Sequence, residues 1–456
     1  MRSRTGIVAA PVSLEEIRRK LQTTTLNSIR EVLPDCAVED ACRAVGLVFR
    51  NRLLPPVVTV LHMVLAAFWP EESFAASWEV VWDSMVSRLP GAAGGSPTSG
   101  SVAKARGRLP LEFWARLFAW LSERCQALAA PWASWRGHRV VLLDGTCVSM
   151  PDEPALHAEF GTSRDARYPL ARIVTAALAH TATVLSYAMG RYDDGENTLA
   201  GAVLDGLRPN DLIVADRLFA GAALYVGYLR RGLQFVTRMH QRVKVSGLRC
   251  LEHFGPGDFV TELTIQRPYR KRDASLPKRV TVRLISAVVR IRGKREVLWL
   301  ATSLVDAERY PAREIVEIYA KRWRIETLFQ ELKVTLKADV LRSLTPDGVR
   351  KELAARMVAL NAVRVIMLEA ATEHGADPLR ISFVHAVRAV ILFAPAMATA
   401  PGWMLPDIYA AMLTEIAAHP VPLRPGRNEP RAVRREHHHY PTLRTTRRLW
   451  RLDHAA

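Results

Sequence analysis

HRVVLLDGT, residues 138–146, is an apolar run that closes on an acidic residue and a glycine. Such a run reads as a buried strand whose tip carries a polar group. LIVAD, residues 212–216, repeats the pattern. Between the two lie Ala171 to Ala179 and Ala182 to Gly190, two strand candidates whose short gap at His180 and Thr181 predicts a hairpin. A helix follows from Glu196 to Leu207, with Gly195 before it and Pro209 after it. Strand, hairpin, helix, strand is the opening of a mixed α/β sheet. If the two acid-tipped strands are neighbours, Asp144 and Asp216 stand side by side, and like charges at that distance repel unless a cation lies between them. The plainer alternative makes each a polar turn residue that ends its strand.

Outward from this core, the first third alternates amphipathic stretches with breakers: Ser13 to Leu33, Val38 to Phe49, Pro56 to Phe68, Phe74 to Leu89 and Leu111 to Leu128. We expect residues 1–135 to form a helical DNA-binding domain. The run Gly91 to Gly100 leads into a helix opened by Ser101, whose cations Lys104, Arg106 and Arg108 could face a DNA groove or simply water. Downstream, VTELTIQ, KRVTVRLISAVVRI and EVLWLATSL read as an inserted β-region over about 240–298, with PYRKRD as a basic loop. That insert sits in an α/β domain over 136–345, which we expect to be followed by a helical region over 346–420 and a mobile basic tail over 421–456.

The formal net charge is +18 and the pI about 10.1, so the excess cations face a polyanion or bulk water. With 49% hydrophobic residues the chain has the apolar content for packed cores, which excludes a wholly disordered protein. Cys36, Cys42, Cys125, Cys147 and Cys250 show neither metal-site nor disulfide-framework spacing and read as reduced intracellular thiols. Glu15 and Glu16 stand where a secretory peptide would have its apolar core. Leu53 to Trp69, interrupted by Pro55, Pro56, Thr59 and His62, reads as a buried helix, so no membrane partner is expected. His437, His438 and His439 lie in an Arg-rich segment and read as solvated tail.

A helix predicted from Pro311 through Leu336 carries Tyr319, Arg322, Glu326 and Lys333 in the spacing Y-x2-R-x3-E-x6-K. At about 3.6 residues per turn these four share one face. Ile315, Ile318, Trp323, Leu328 and Leu332 supply apolar surface for docking on the sheet. Such a stripe can hold a phosphate beside a metal-ligating carboxylate, or it can be a salt-bridged solvent face in which Glu326 pairs with Arg322.

With these motifs the chain resembles DDE transposases of the insertion sequence 4 family, which are ribonuclease-H-like. The resemblance rests on DGT at Asp144 to Thr146, YP from Tyr168, GE at Gly195 and Glu196, ADR-x-F at Ala215 to Phe219, and YAKRWRIETLFQELK at Tyr319 to Lys333. It implies a ribonuclease-H-like mixed sheet with an inserted β-region and helical flanks. It also implies cut-and-paste transposition: cleavage at transposon ends, then strand transfer into target DNA. Asp144, Asp216 and Glu326 would bind two Mg²⁺ or Mn²⁺ ions, and Tyr319, Arg322 and Lys333 would grip DNA phosphate, with Arg217 beside them. A flipped nucleotide would stack on Trp299, or failing that on Trp323. Gln330 departs from the basic stripe. The implied partners are the double-stranded terminal inverted repeats, target DNA and a second copy in a homodimer, in bacterial cytoplasm on the nucleoid. Two rivals are a catalytically dead DNA-binding derivative, which the intact acidic triad argues against, and a stand-alone nuclease such as a junction resolvase, which the long flanks argue against.

Overall fold

The computed structural model describes residues 32–49, 54–68, 78, 97–163, 167–240, 242–291, 294–400 and 402–422. Apart from Val32, Leu33 and Trp78, the helices expected at Ser13–Leu33 and Phe74–Leu89 fall outside that range, as does the basic tail beyond Pro422. The chain divides into a main body, Met1–Val288 with Val297–Pro422, and a second unit, Val289–Glu296 with Leu423–Ala456, whose described part is the distal ends of two strands.

The strands are β1 (Ser134–Trp135), β2 (His138–Ser149), β3 (Leu170–Leu178), β4 (Val184–Arg191), β5 (Leu212–Ala215), β6 (Gln234–Arg238), β7 (Cys250–Gly255), β8 (Asp258–Thr264), β9 (Arg279–Ile291) and β10 (Lys294–Thr302). They form one sheet in the order β4-β3-β2-β5-β6-β10-β9-β8-β7, with β1 pairing on β2. β3 and β4 run antiparallel as a hairpin beside β2, whereas β5 and β6 run parallel to it. The first five strands in that order, β4-β3-β2 antiparallel and β5 and β6 parallel to β2, make the mixed sheet that the resemblance led us to expect. The insert does not stand apart, because β10 pairs antiparallel with β6 and carries the sheet onward.

The helices are α1 (Asp35–Ala44), α2 (Pro56–Phe68), α3 (Ser99–Arg108), α4 (Leu111–Ala129), α5 (Pro154–Phe160), α6 (Glu196–Leu204), α7 (Ala222–Arg230), α8 (Arg267–Arg272), α9 (Ala312–Ala320), α10 (Arg324–Gln330), α11 (Pro346–His374), α12 (Phe383–Thr399) and α13 (Leu405–Ala418). α2 is buried along its whole length, and no helix among the described residues is long and apolar enough to cross a membrane. α3 starts at Ser99 rather than Ser101, because the Thr98 hydroxyl accepts a hydrogen bond from the Ser101 N–H at 3.3 Å and so caps the helix. The basic loop expected at Pro268–Asp273 is the helix α8, with Pro268 in its first turn, where a missing N–H costs nothing.

α11 organises the helical part. Over 29 residues it is buried nearly all round, the expected state of a helix without a solvent face. α2 and α4 pack on it from the N-terminal third, and α12 and α13 from the C-terminal side. One hydrophobic core runs through these helices and the sheet. Charge is buried inside it. The Glu352 carboxylate accepts hydrogen bonds from the main-chain N–H groups of Arg342 (3.0 Å) and Ser343 (2.8 Å), from the Ser343 hydroxyl (2.8 Å) and from the Arg356 guanidinium (2.6 Å). Against the cost of burial these donors hold its carboxyl below the usual range. Removing the carboxylate takes the counter-charge from a buried guanidinium and the acceptor from two amides, so Glu352→Ala should lower the unfolding free energy by about 3–5 kcal/mol. Denaturant melts of the full chain check this; a loss under about 1 kcal/mol would show that the network is not what closes this core.

Candidate active site

Two strands bring the first pair of acids together. Arg139 at the start of β2 makes a two-pronged ion pair with the buried Asp211 at the foot of β5, at 2.7 and 2.6 Å. With that end tied, the parallel register runs from Val140 opposite Leu212 to Leu143 opposite Ala215, which brings Asp144 level with Asp216 one step later. Asp144 is not at a strand tip, as the apolar run suggested. β2 continues to Ser149 because β3 goes on pairing with it, with Asp144 opposite Thr175. Only the parallel neighbour stops. Asp216 leaves β5 and caps a short 3₁₀ turn, its Oδ1 accepting from the Leu218 N–H at 2.6 Å.

The third acid arrives on a helix that is irregular where one continuous helix was expected. α9 ends at Ala320, a 3₁₀ turn covers Lys321–Trp323, α10 follows, and a π turn covers Glu331–Thr335. α9 packs on β5 and β6, and α10 packs on β2, the strand of Asp144. Lys321 contacts the His180 ring at 2.6 Å and Arg324 donates to the Ala179 carbonyl at 3.0 Å, fixing the helix to the β3–β4 turn. Arg322 reaches Asp144 at 3.8 Å and lies over the Trp323 ring at 4.7 Å. Tyr319 is near Arg322 and Asp216, and burial raises its hydroxyl pKa. Lys333 is half-buried near Cys147 and Asp339, and burial depresses its ammonium pKa.

The other expected DNA contacts fare unequally. Lys104, Arg108 and Arg217 are exposed. Arg106 turns inward and donates to the Ser343 hydroxyl at 3.2 Å, so within α3 it holds the helix in place rather than facing solvent. Trp299 is half-buried, edge-on to Phe259 with ring centres 6.0 Å apart, whereas Trp323 is 61% exposed.

A fourth carboxylate went unassigned in the sequence reading. Glu196, at the start of α6, pairs with Arg172 of β3 at 2.7 Å, and its Oε2 is buried without a hydrogen-bond partner. It lies against Gly145, where a Cβ would come within 2.8 Å of its carboxyl group. The adjoining Gly-Glu pair was visible in the sequence, but nothing local shows that Glu196 folds back onto Asp144. Burial, then Asp216 and Glu196, push the Asp144 carboxyl up to about 6, against the Gly145 N–H and Arg322. Hard oxygen donors crowded together, one with an orphaned oxygen, suit a divalent cation of the magnesium type.

Sheet, paired aspartates and docked helix define a DDE nucleotidyl transferase. Residues 135–362 match the family described as Transposase DDE domain, and the chain belongs to that family of DNA transposases, enzymes that use divalent metal ions. It is 27% identical to the Transposase InsG for insertion sequence element IS4 of Escherichia coli (strain K12) over 352 residues, 75% of this chain and 78% of that one. A solved piggyBac transposase synaptic complex with hairpin DNA aligns over 89% of this chain and 87% of its own, with a TM-score of 0.44 and 10% identity, too slight a likeness to bear on the fold.

The raised Asp144 carboxyl has a linked consequence. Because the folded state keeps this proton up to about pH 6 and the unfolded chain only to about 3.8, the acid destabilises the metal-free fold as pH rises through that window. Asp144→Asn should therefore stabilise the metal-free protein at pH 7.5 by about 1–3 kcal/mol, and by little at pH 4. Melts at both values test it; equal effects at the two pH values would remove the assigned ionisation.

Proposed function

We propose that this transposase cleaves DNA at the ends of its own mobile element and joins them to a target, with Asp144, Asp216 and Glu326 as the metal ligands. The observation that carries this reading is the level register of Asp144 and Asp216 beneath a helix whose Arg322 reaches Asp144 at 3.8 Å. Two Mg²⁺ ions, with Mn²⁺ as substitute, would activate the attacking oxygen and stabilise the leaving one. Arg322, Tyr319 and Lys333 position the scissile phosphate on the same helix, and Arg217 adds positive charge beside Asp216. No histidine base is needed. Lys104 and Arg108, on the exposed side of α3, take backbone contacts along the end duplex. Trp323, exposed and backed by Arg322, suits a stacked base better than the half-buried Trp299. Two copies bridge the two inverted repeats as a homodimer on the nucleoid.

Grip and chemistry separate by mutation. Arg322→Ala or Lys333→Ala removes a charge-assisted phosphate contact of about 1.5–3 kcal/mol, so end binding should weaken about 10- to 100-fold. The salt slope should fall by about one counterion. Glu326→Gln should keep both affinity and slope while stopping Mg²⁺-dependent cleavage. Titration of a labelled end duplex at several salt concentrations, beside a cleavage assay, reads both. Unchanged salt-dependent affinity in the alanine variants would return the stripe to a structural face, and cleavage by Glu326→Gln would remove it from the metal set.

A further inference from the structure

Far along the chain from the triad, three side chains approach one point at the end of the C-terminal helical pair. We propose that His385, Glu415 and His419 form a Zn²⁺ site that clips α12 to α13. His385 lies in the first turn of α12, where the Ser382 hydroxyl accepts a hydrogen bond from its main-chain N–H at 3.2 Å. Glu415 and His419 stand one turn apart at the end of α13. One potential ligand atom from each lies within 4.8 Å of the other two.

The distances match the metal. Glu415 Oε1 is 3.5 Å from His385 Nε2 and 3.4 Å from His419 Nδ1. Tetrahedral Zn²⁺ with bonds of about 2.0–2.2 Å separates its ligand atoms by about 3.3–3.5 Å. The carboxylate oxygen thus stands at ligand spacing from each ring nitrogen and too far from either for a good hydrogen bond. His385 Nε2 is shielded from water and has no hydrogen-bond partner. The two rings are 4.3 Å apart and tilted by 36°. Two imidazoles with one carboxylate select a borderline transition metal over Mg²⁺ or Ca²⁺.

The frame is already in place, because Ile381 and Pro420 form a β-bridge just outside the two helices. Little ordering remains for the ion to drive. His419 Nδ1 also faces the Glu415 main-chain carbonyl at 3.0 Å, so binding exchanges that contact for the metal bond and moves the ring proton to Nε2.

The test uses the untagged full chain with His437, His438 and His439 changed to alanine and with Asp144→Asn and Asp216→Asn, which removes the competing histidines and the triad. We expect one equivalent of Co²⁺ to give the visible absorption of a four-coordinate site and Zn²⁺ to displace it, with a rise in Tm of a few degrees. His385→Ala and His419→Ala, each added to this background, should weaken binding at least tenfold and abolish the Tm rise while circular dichroism stays unchanged. Absence of a bound equivalent in the parent, or retention of binding in both variants, would overturn the site.

Discussion

The way the helix of Glu326 is joined to the helical part of the molecule depends on keeping one buried negative charge satisfied. Taking the Glu352 carboxylate out of water costs several kcal/mol, which is offset only when every donor around it is in place. Two of those donors are the main-chain amides of Arg342 and Ser343, so the segment between the catalytic helix and α11 has one conformation in which the charge is tolerable. Arg356, bound to the same carboxylate, also donates to the Leu336 carbonyl at 3.1 Å, at the end of the π turn that carries Lys333. Glu331, in that turn, pairs with the buried Arg364 one helical stretch further on. α3 is held from the other side by Arg106 on Ser343 and by Lys351, which donates to the Gly107 carbonyl at 2.9 Å. The basic helix and the catalytic helix are thus fixed to the same few residues of α11.

The active site shows the opposite arrangement. There the carboxylates are gathered with fewer donors than they need, and Asp144 responds by holding its proton to about pH 6. The Arg139–Asp211 pair keeps the strands level despite that repulsion, and the Arg172–Glu196 pair holds a further acid against Gly145. Charge saturated in the helical core and left unsaturated at the sheet edge is a sensible division for an enzyme that must recruit cations.

Much of this was legible from local pattern. The two apolar runs ending in Asp144 and Asp216, the hairpin between them and the buried helix α2 all depend on alternation and length, which neighbouring residues largely decide. Other features depend on partners distant in sequence. β2 passes beyond Asp144 because β3 pairs with it, and a run of mixed residues from Thr146 to Ser149 carries no strand signal by itself. α11 lay inside a stretch read only as helical, since the burial of Lys351, Glu352, Arg356 and Arg364 follows from what surrounds them. Arg106 looked equivalent to Lys104 and Arg108 until Ser343 came within reach. At the site, residue types nominated the triad proposed above as metal ligands, whereas the place of Glu196 required the fold.

The irregular turns of the catalytic helix bear on why its signature is spaced as it is. A 3₁₀ residue advances about 120° around the axis instead of about 100°, so three of them at Lys321–Trp323 over-rotate whatever follows by about 60°. The π turn closes i→i+5 bonds and advances only about 80° per residue, which returns roughly the same angle by Lys333. Lys333 therefore ends about 40° from Tyr319, as on a regular helix, while Glu326, which a regular helix would place between the two, lies about 40° on the other side of Tyr319. A perfectly regular helix would stack Tyr319, Glu326 and Lys333 in nearly one line. The two compensating turns spread them around the axis and set Glu326 apart from Tyr319 and Lys333 on the same short stretch of helix.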